Sequence, residues 1–423
     1  MIIIVPSAAT TTTDVRALLA RPSTALDELT ARYRPVFAKI AEGNLARERA
    51  REFGYEQVRW LIDAGFSRLR IPREFGGDGA TLQQVFVLLS ELAEADPNIA
   101  HVFRNHLAFV EDRLNSAPSA ATDVWLERFR RGDFVGGGWT EANSNSLTEV
   151  HTRITNDAGV IRITGQKFYA TGSLYADWLD VIGLDDSGAP VTALVARHQD
   201  GVELVDDWDG FGQQTTASGS ARYEGAIVGE HALFPVQDRF AYQGLFYQTA
   251  LLSVLVGIAR AAFRDGTEAL RRRKRNYPLG ADSVPANDAL LQQRIGFLAT
   301  RVFQASAVLE VQSATLDAVA EAHARGEAEA EAAALRHATV RTHEAQSVIV
   351  DTALEVTTSV FDALGASATS VPLALDRHWR NARTLSSHNP RVFKERVLGD
   401  FYVNGTDPSG SASRLYDRQG QGV

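Results

Sequence analysis

The 423-residue chain contains no cysteine. Disulfides, thiolate metal sites and a cysteine nucleophile are thereby excluded, and a reducing compartment fits. It also lacks a basic excess: the formal net charge is −9, which gives nucleic acid no electrostatic footing. No glycine-rich loop follows a strand-like run, so a Rossmann nucleotide site is not expected. His337 and His343 are six residues apart, the wrong spacing for a helical ligand pair, and no metal site is expected. No apolar run reads as long enough to span a bilayer. The opening Met-Ile-Ile-Ile-Val-Pro is too short for a signal peptide and has no basic leader. The expectation is a cytoplasmic protein with no membrane or nucleic-acid partner.

What is present has a clear order. After a loose start with threonines at Thr10–Thr13, Thr24 and Asp27 resemble a capping box, and Leu26, Leu29, Tyr33, Phe37 and Ile40 follow at helical spacing. Ile71 to Gly79 reads as a turn-rich connector. Thr81-Leu-Gln-Gln84 is a second capping box, opening an apolar helix that ends near Asp96-Pro97. A further helix carries His101 and His106. Near Phe134 the texture changes to Gly, Thr, Val and Ile, with strands at Val160–Thr164 and Val191–Ala196 and others up to Phe234-Pro235. From about Phe240 the chain is helical again. Leu245 to Ala262 is apolar on most faces, Leu291, Ile295, Leu298 and Val302 form a stripe, and the alanine-rich Glu327–Ala334 opens a long helix to about Leu364. This predicts an α+β protein in three parts: residues 1–132 helical, 133–236 β and barrel-like, 237–423 a helical bundle with its tail.

The densest chemistry lies in Asp376-Arg-His-Trp-Arg-Asn-Ala-Arg-Thr-Leu-Ser-Ser-His-Asn-Pro390. A helix here places Arg377, Arg380 and Thr384 on one face, with His388 just past its end before Asn389-Pro390. Cations and imidazoles beside an indole suggest an anionic ligand and a proton carrier. A solvated charged helix ending at proline is the alternative.

Ile71-Pro-Arg-Glu-Phe-Gly-Gly-Asp-Gly79, Trp139-Thr-Glu-Ala-Asn143, Gly165-Gln-Lys-Phe-Tyr-Ala-Thr-Gly172 and Gly212-Gln-Gln-Thr215 together resemble the acyl-CoA dehydrogenase fold, in that family's order and across nearly the whole chain. Asp206–Gly212, Thr215–Ser220, Asp376–Thr384 and His388–Pro390 narrow the resemblance to its flavin-dependent monooxygenase branch. The family implies an N-terminal helical domain, a central β domain and a C-terminal four-helix bundle. It further implies a homotetramer in which a neighbouring subunit completes the flavin site. A dehydrogenase of this fold carries a carboxylate base where this chain reads Leu385-Ser-Ser-His-Asn-Pro390, without one. The branch instead implies reduced flavin, FMNH2, delivered by an NAD(P)H-dependent flavin reductase. It reacts with O2 to a flavin hydroperoxide that oxygenates a small organic substrate, here a sulfur or nitrogen heteroaromatic. A dehydrogenase with FAD and a relocated base, and N-oxygenation of an amino sugar, stay open.

By the same resemblance, Thr171 is the hydroxyl donor beside the reactive ring nitrogen, and His388 and His106 are pocket histidines suited to proton relay. His101, five residues before His106, faces elsewhere on a helix and reads as structural. Trp139, Thr140 and Asn143 lie along the flavin, and Trp208 stands beside it. Arg273, within Arg271–Arg275, and Ser367 mark the phosphate end. A second arginine of the branch falls at Ser367 here, which leaves FMN against FAD open; FMN is favoured because the resembling branch uses it, with FAD the alternative. Phe240, Tyr242, Phe246 and Tyr247 line a substrate pocket or pack the core.

Overall fold

The structure, a computed structural model, describes residues 14–19, 24–141 and 149–411. Five helices come first: α1 (Leu26–Ala50), α2 (Tyr55–Ala64), α3 (Leu82–Ala95), α4 (Pro97–Asn115) and α5 (Ala120–Arg131). The Thr81/Gln84 capping box forms in full, so two otherwise orphaned amides at the start of α3 are satisfied reciprocally. Asp96 ends α3 and caps α4, accepting from the amides of Asn98 and Ile99 with Pro97 at the first helical position. The capping box expected at Thr24 and Asp27 does not form: Ala25 is the N-cap of α1 and offers no side chain. The Thr24 hydroxyl is captured by the Ile71–Gly79 connector, donating to the Asp78 carbonyl and accepting from Arg73 Nε at 2.9 Å. The threonine run at 10–13 lies outside the described residues.

Seven strands follow: β1 (Val135–Gly138), β2 (Arg153–Asp157), β3 (Val160–Lys167), β4 (Trp178–Leu184), β5 (Pro190–Ala196), β6 (Val202–Val205) and β7 (Ser220–Pro235). The β2–β3 hairpin turns at Ala158 and Gly159, both at positive φ, with the Gly159 amide donating to Asn156 Oδ1. β3 pairs with β7, β7 with β5 and β5 with β4, all antiparallel, and β2 meets β4 at Arg153 and Leu184. The order thus closes on itself, with β1 added in parallel to β4 and β6 to β7.

The chain ends in α6 (Gln243–Arg272), α7 (Ala289–Ala324), α8 (Ala328–Ser359), α9 (Asp376–Ser386) and α10 (Arg391–Asn404). The long helix expected to reach Leu364 gives way after Ser359 to a 3-10 turn over Val360–Ala363. α6, α7 and α8 pack together, α9 lies on α6 and α8, and α10 lies on α8, so two short helices in succession take the fourth place of the bundle. Contrary to the sequence reading, α6 is long and apolar enough to cross a membrane. It is nonetheless almost wholly enclosed by protein, against α3, α4, α7 and α8. Gly257 permits its closest approach, because a Cβ there would collide with Ala93 and the Ser90 carbonyl of α3. The architecture is that of an acyl-CoA dehydrogenase-like fold: helices, a strand domain, then helices.

Candidate active site

α4 supplies the side chains that face the sheet. Asn98, His101, Val102 and Asn105 recur at three- and four-residue intervals and so share one side of the helix. Asn98 Oδ1 accepts from the Thr215 amide at 3.3 Å, and Asn105 Nδ2 donates to the Thr171 carbonyl at 2.9 Å. Gly172, at φ +81°, lets the chain pass close beneath Val102. His101 Nδ1 meets Gln213 Oε1 at 3.0 Å. Its Nε2 is buried and has no partner among the described residues. Burial, then the charges of Arg104 and His388, pushes the imidazole down to about 3.

His106 sits on a different side of α4. Its Nδ1 accepts from the Val135 amide at 3.2 Å, so its Nε2 carries the proton and donates to the Ser67 carbonyl at 3.0 Å. The ring stacks on Phe134 at 4.6 Å. Both nitrogens are engaged, the residue is fully buried, and desolvation pushes it down to about 4. His106 therefore ties the α2–α3 connector to β1, whereas His101 is the α4 histidine that meets the Gln213 loop. Five residues on a helix amount to about 140° of rotation, so the two rings reach different parts of the strand domain, His106 the β1 backbone and His101 the loop before β7. The polar stripe Asn98, His101, Asn105 on one side of the helix was the signal that could have placed His101 toward that loop.

Gln213, in the loop between β6 and β7 and at φ +54°, joins three parts of the molecule. Its amide N donates to Asn381 Oδ1 of α9 at 2.6 Å, as does its side-chain Nε2 at 3.2 Å. Asn381 Nδ2 donates to Glu48 Oε1 of α1 at 3.2 Å, and Asn98 Nδ2 donates to Glu48 Oε2 at 2.9 Å. Burial and the nearby Asp96 hold the Glu48 carboxyl above its ordinary range. None of these groups except Asn98 and His101 belongs to α4, and sequence reasoning singled out none of Glu48, Gln213 and Asn381.

α9 forms where expected, ending at Ser386, and His388 follows it. The His388 side chain is exposed at the surface yet set among protein atoms. Burial and then the Arg104 charge push its imidazole down to about 4. Asn389 fixes the turn: its Nδ2 donates to Gln248 Oε1 at 2.8 Å and its carbonyl accepts from Gln346 Nε2 at 2.6 Å. Arg104 lies 4.5 Å over the Tyr247 ring and donates to the Tyr247 carbonyl. Tyr247 in turn stands edge-on to Trp139, ring centroids 6.5 Å apart. The Trp139 indole donates to Asp180 Oδ2 at 3.2 Å, and Asp180 is held by the buried Arg239 at 2.6 Å. Trp139, Tyr247, Arg104, His101 and His388 thus form one neighbourhood between the sheet, α4, α6 and the end of α9.

Thr171 joins it through the Asn105 contact. Its hydroxyl bonds Ser218 Oγ at 2.8 Å, and Ser218 bonds Thr216 Oγ1 at 2.7 Å. Thr140 bridges to Phe168 beside it. Asn143 lies outside the described residues. Trp208 is half-buried, its indole donating to the Gly212 carbonyl and its ring edge-on to Tyr169. Of the aromatic patch, Phe240, Tyr242 and Phe246 are core, and the Tyr242 hydroxyl donates to Glu111. Of the four, Tyr247 is half-exposed. In the first half of α9, Arg377 and His378 both engage Asp265 of α6, the imidazole at 3.0 Å.

Arg273 and the turn that carries Ser367 lie near each other, away from this neighbourhood. The Arg273 guanidinium lies beside Gly365, two residues before Ser367, whereas Arg271 and Arg272 face Glu268. Arg273 caps the far end of α6 from Tyr247. The 26 residues between them correspond to roughly 40 Å of helix, longer than a flavin mononucleotide from ring to phosphate. Within one protomer the two ends cannot share one such ligand.

Two models of one family match the chain, the acyl-CoA dehydrogenase N-terminal domain over residues 28–133 and the acyl-CoA dehydrogenase C-terminal domain over residues 250–391. A probable FMNH2-dependent monooxygenase, SfnC of Pseudomonas putida, is 28% identical over 360 residues, 83% of this chain and 88% of that protein. Dibenzothiophene monooxygenase of Mycolicibacterium goodii is 26% identical over 385 residues, covering 85% and 89%. Among solved structures, TdsC from Paenibacillus sp. A11-2 in complex with FMN and indole superposes with a TM-score of 0.80 at 26% identity, covering 91% of this chain and 99% of that one.

Proposed function

The chain belongs to the acyl-CoA dehydrogenase family, and from that premise we propose that it is a flavin-dependent monooxygenase using reduced FMN and O2 to oxygenate a small heteroaromatic sulfur or nitrogen compound. The observation that carries this reading is the makeup of the reacting face. Two imidazoles, His101 and His388, flank Arg104, and no carboxylate figures among the groups that set either ring. A dehydrogenase needs an acid there to take a substrate proton. The FMNH2-dependent relative and the FMN- and indole-bound neighbour agree with the choice of cofactor and substrate class.

The residues present fit an isoalloxazine. Trp139 and Tyr247 give it an aromatic wall, Thr171 and Thr140 a polar edge, and Arg104 a cation suited to its anionic reduced form. The unpartnered His101 Nε2 wants a donor from a ligand. Bound reduced FMN supplies two electrons that let O2 give one atom to the substrate and the other to water. His101 and His388, both neutral at physiological pH, hold or pass the protons this requires. The buried Asp180–Arg239 pair holds the half-buried Trp139 indole and keeps that wall fixed.

The phosphate end is Arg273 with the Gly365–Ser367 turn of a neighbouring subunit, since the protomer's own lies too far away. A homotetramer is consistent with large apolar side chains left exposed on α7 and α10, Phe303 and Val311 on the first, Phe393 and Val403 on the second. Residues 1–132, 133–236 and 237–423 act as three domains around the site. Electrons arrive from an NAD(P)H-dependent flavin reductase.

The test supplies reduced FMN and O2 with dibenzothiophene, indole and related heterocycles, and reads products by mass. A product heavier by one oxygen atom is expected. Hydrogen peroxide alone across the panel would remove the substrate class, and anaerobic bleaching of bound oxidised FAD by an acyl-CoA would replace the reading altogether.

A further inference from the structure

The hydroxyl chain behind Thr171 has a direction. Each threonine or serine hydroxyl has one proton to give. Thr216 Oγ1 lies 2.8 Å from the Gln213 carbonyl, which can only accept, so the Thr216 proton goes there. Ser218 must then donate to Thr216 across 2.7 Å, and Thr171 must donate to Ser218 across 2.8 Å. The Thr171 proton is thereby engaged inside the protein. What its oxygen can still offer is a lone pair.

His101 is set in the same way. The Gln213 backbone amide fixes Asn381 with Oδ1 toward it, which turns Gln213 Nε2 to the same oxygen and Gln213 Oε1 to His101. His101 Nδ1 is therefore the protonated nitrogen, and the buried Nε2 carries a lone pair. Both arrangements end on Gln213, and both leave an acceptor and no donor.

We propose that this wiring makes the site select the redox state of its flavin, Thr171 accepting from the ring N5–H that only the reduced form carries. This rests on the flavin reading above and reverses the donor role the resemblance assigned to Thr171. Oxidised flavin presents a lone pair at N5, so it meets lone pair with lone pair.

The experiment measures dissociation constants of oxidised FMN and, anaerobically, of reduced FMN for the unaltered protein and for Ser218→Ala, Thr216→Val and Ser173→Ala. Unaltered protein should favour reduced FMN. Ser218→Ala frees the Thr171 proton to donate to oxidised N5, and Thr216→Val does so by letting Ser218 donate to Thr171. In each the preference should shrink about fivefold, one ordinary hydrogen bond gained by the oxidised form, with a shift in the visible spectrum of bound oxidised FMN. Ser173, whose hydroxyl donates to the Ala217 carbonyl outside the chain, serves as control and should leave the ratio unchanged. An unchanged ratio in both chain variants, or a change of equal size in Ser173→Ala, overturns the wiring and leaves the monooxygenase reading standing. Failure of the unaltered protein to bind either form overturns the flavin reading, and this inference with it.

Discussion

At the scale of single residues, two histidines on one helix have opposite lives. His101 keeps a bare nitrogen beside Arg104 and His388, whereas His106 has both nitrogens engaged. Replacing His101 or His388 by alanine should therefore act on chemistry. We expect oxygenated product per FMNH2 to fall by on the order of a hundredfold and peroxide to rise, measured in single turnovers. His388→Ala, at an open position, should leave the melting temperature unchanged. His106 should act on stability. Its imidazole titrates near 6.5 when unfolded and only at about 4 when folded. Between those values the unfolded chain holds more protons, so stability falls as pH drops from about 6.5 to about 4. In His106→Asn that slope should lessen by up to about 1.4 kcal/mol per pH unit, read from urea midpoints between about pH 7 and 5.

At the scale of elements, the contacts that hold the site together join distant segments. Asn381→Ala would leave the Gln213 amide without its acceptor and remove a donor from Glu48, all buried. A loss of about 2 kcal/mol in chemical denaturation is expected. Gly257→Ala should cost about 1–3 kcal/mol by forcing α6 off α3. The same distinction explains what could be read in advance. The Thr81/Gln84 box, the Asp96-Pro97 boundary and α9 with His388 beyond it are written in adjacent residues, and all form. Thr24, which looked like a cap, bonds a loop some fifty residues on, and Arg377 and His378 meet an aspartate more than a hundred residues back. No local pattern carries such partners. The family motifs located the sheet and the Thr171 turn but could not say which histidine faces it, because that depends on the rotational phase of α4 set by its Asp96 cap.

At the scale of the whole molecule, the ring end of the site and the Arg273–Ser367 end lie on opposite ends of α6. If subunits complete one another, Arg273→Ala and His388→Ala proteins should each be nearly inactive. Assembled together from unfolded or dissociated chains, they should recover product formation in the sites that draw an intact ring end from one chain and an intact arginine from the other. Absence of any recovery, with mixed assemblies confirmed by mass, would place the phosphate grip elsewhere.

The length of α6 has one more consequence. If a neighbouring subunit completes the site as proposed, a subunit on its own grips only half of its cofactor, and the number of competent centres in a solution is set by association. Dilution below the assembly threshold should shed FMN before any helix melts. Specific activity should then climb with protein concentration and level off once the oligomer is saturated.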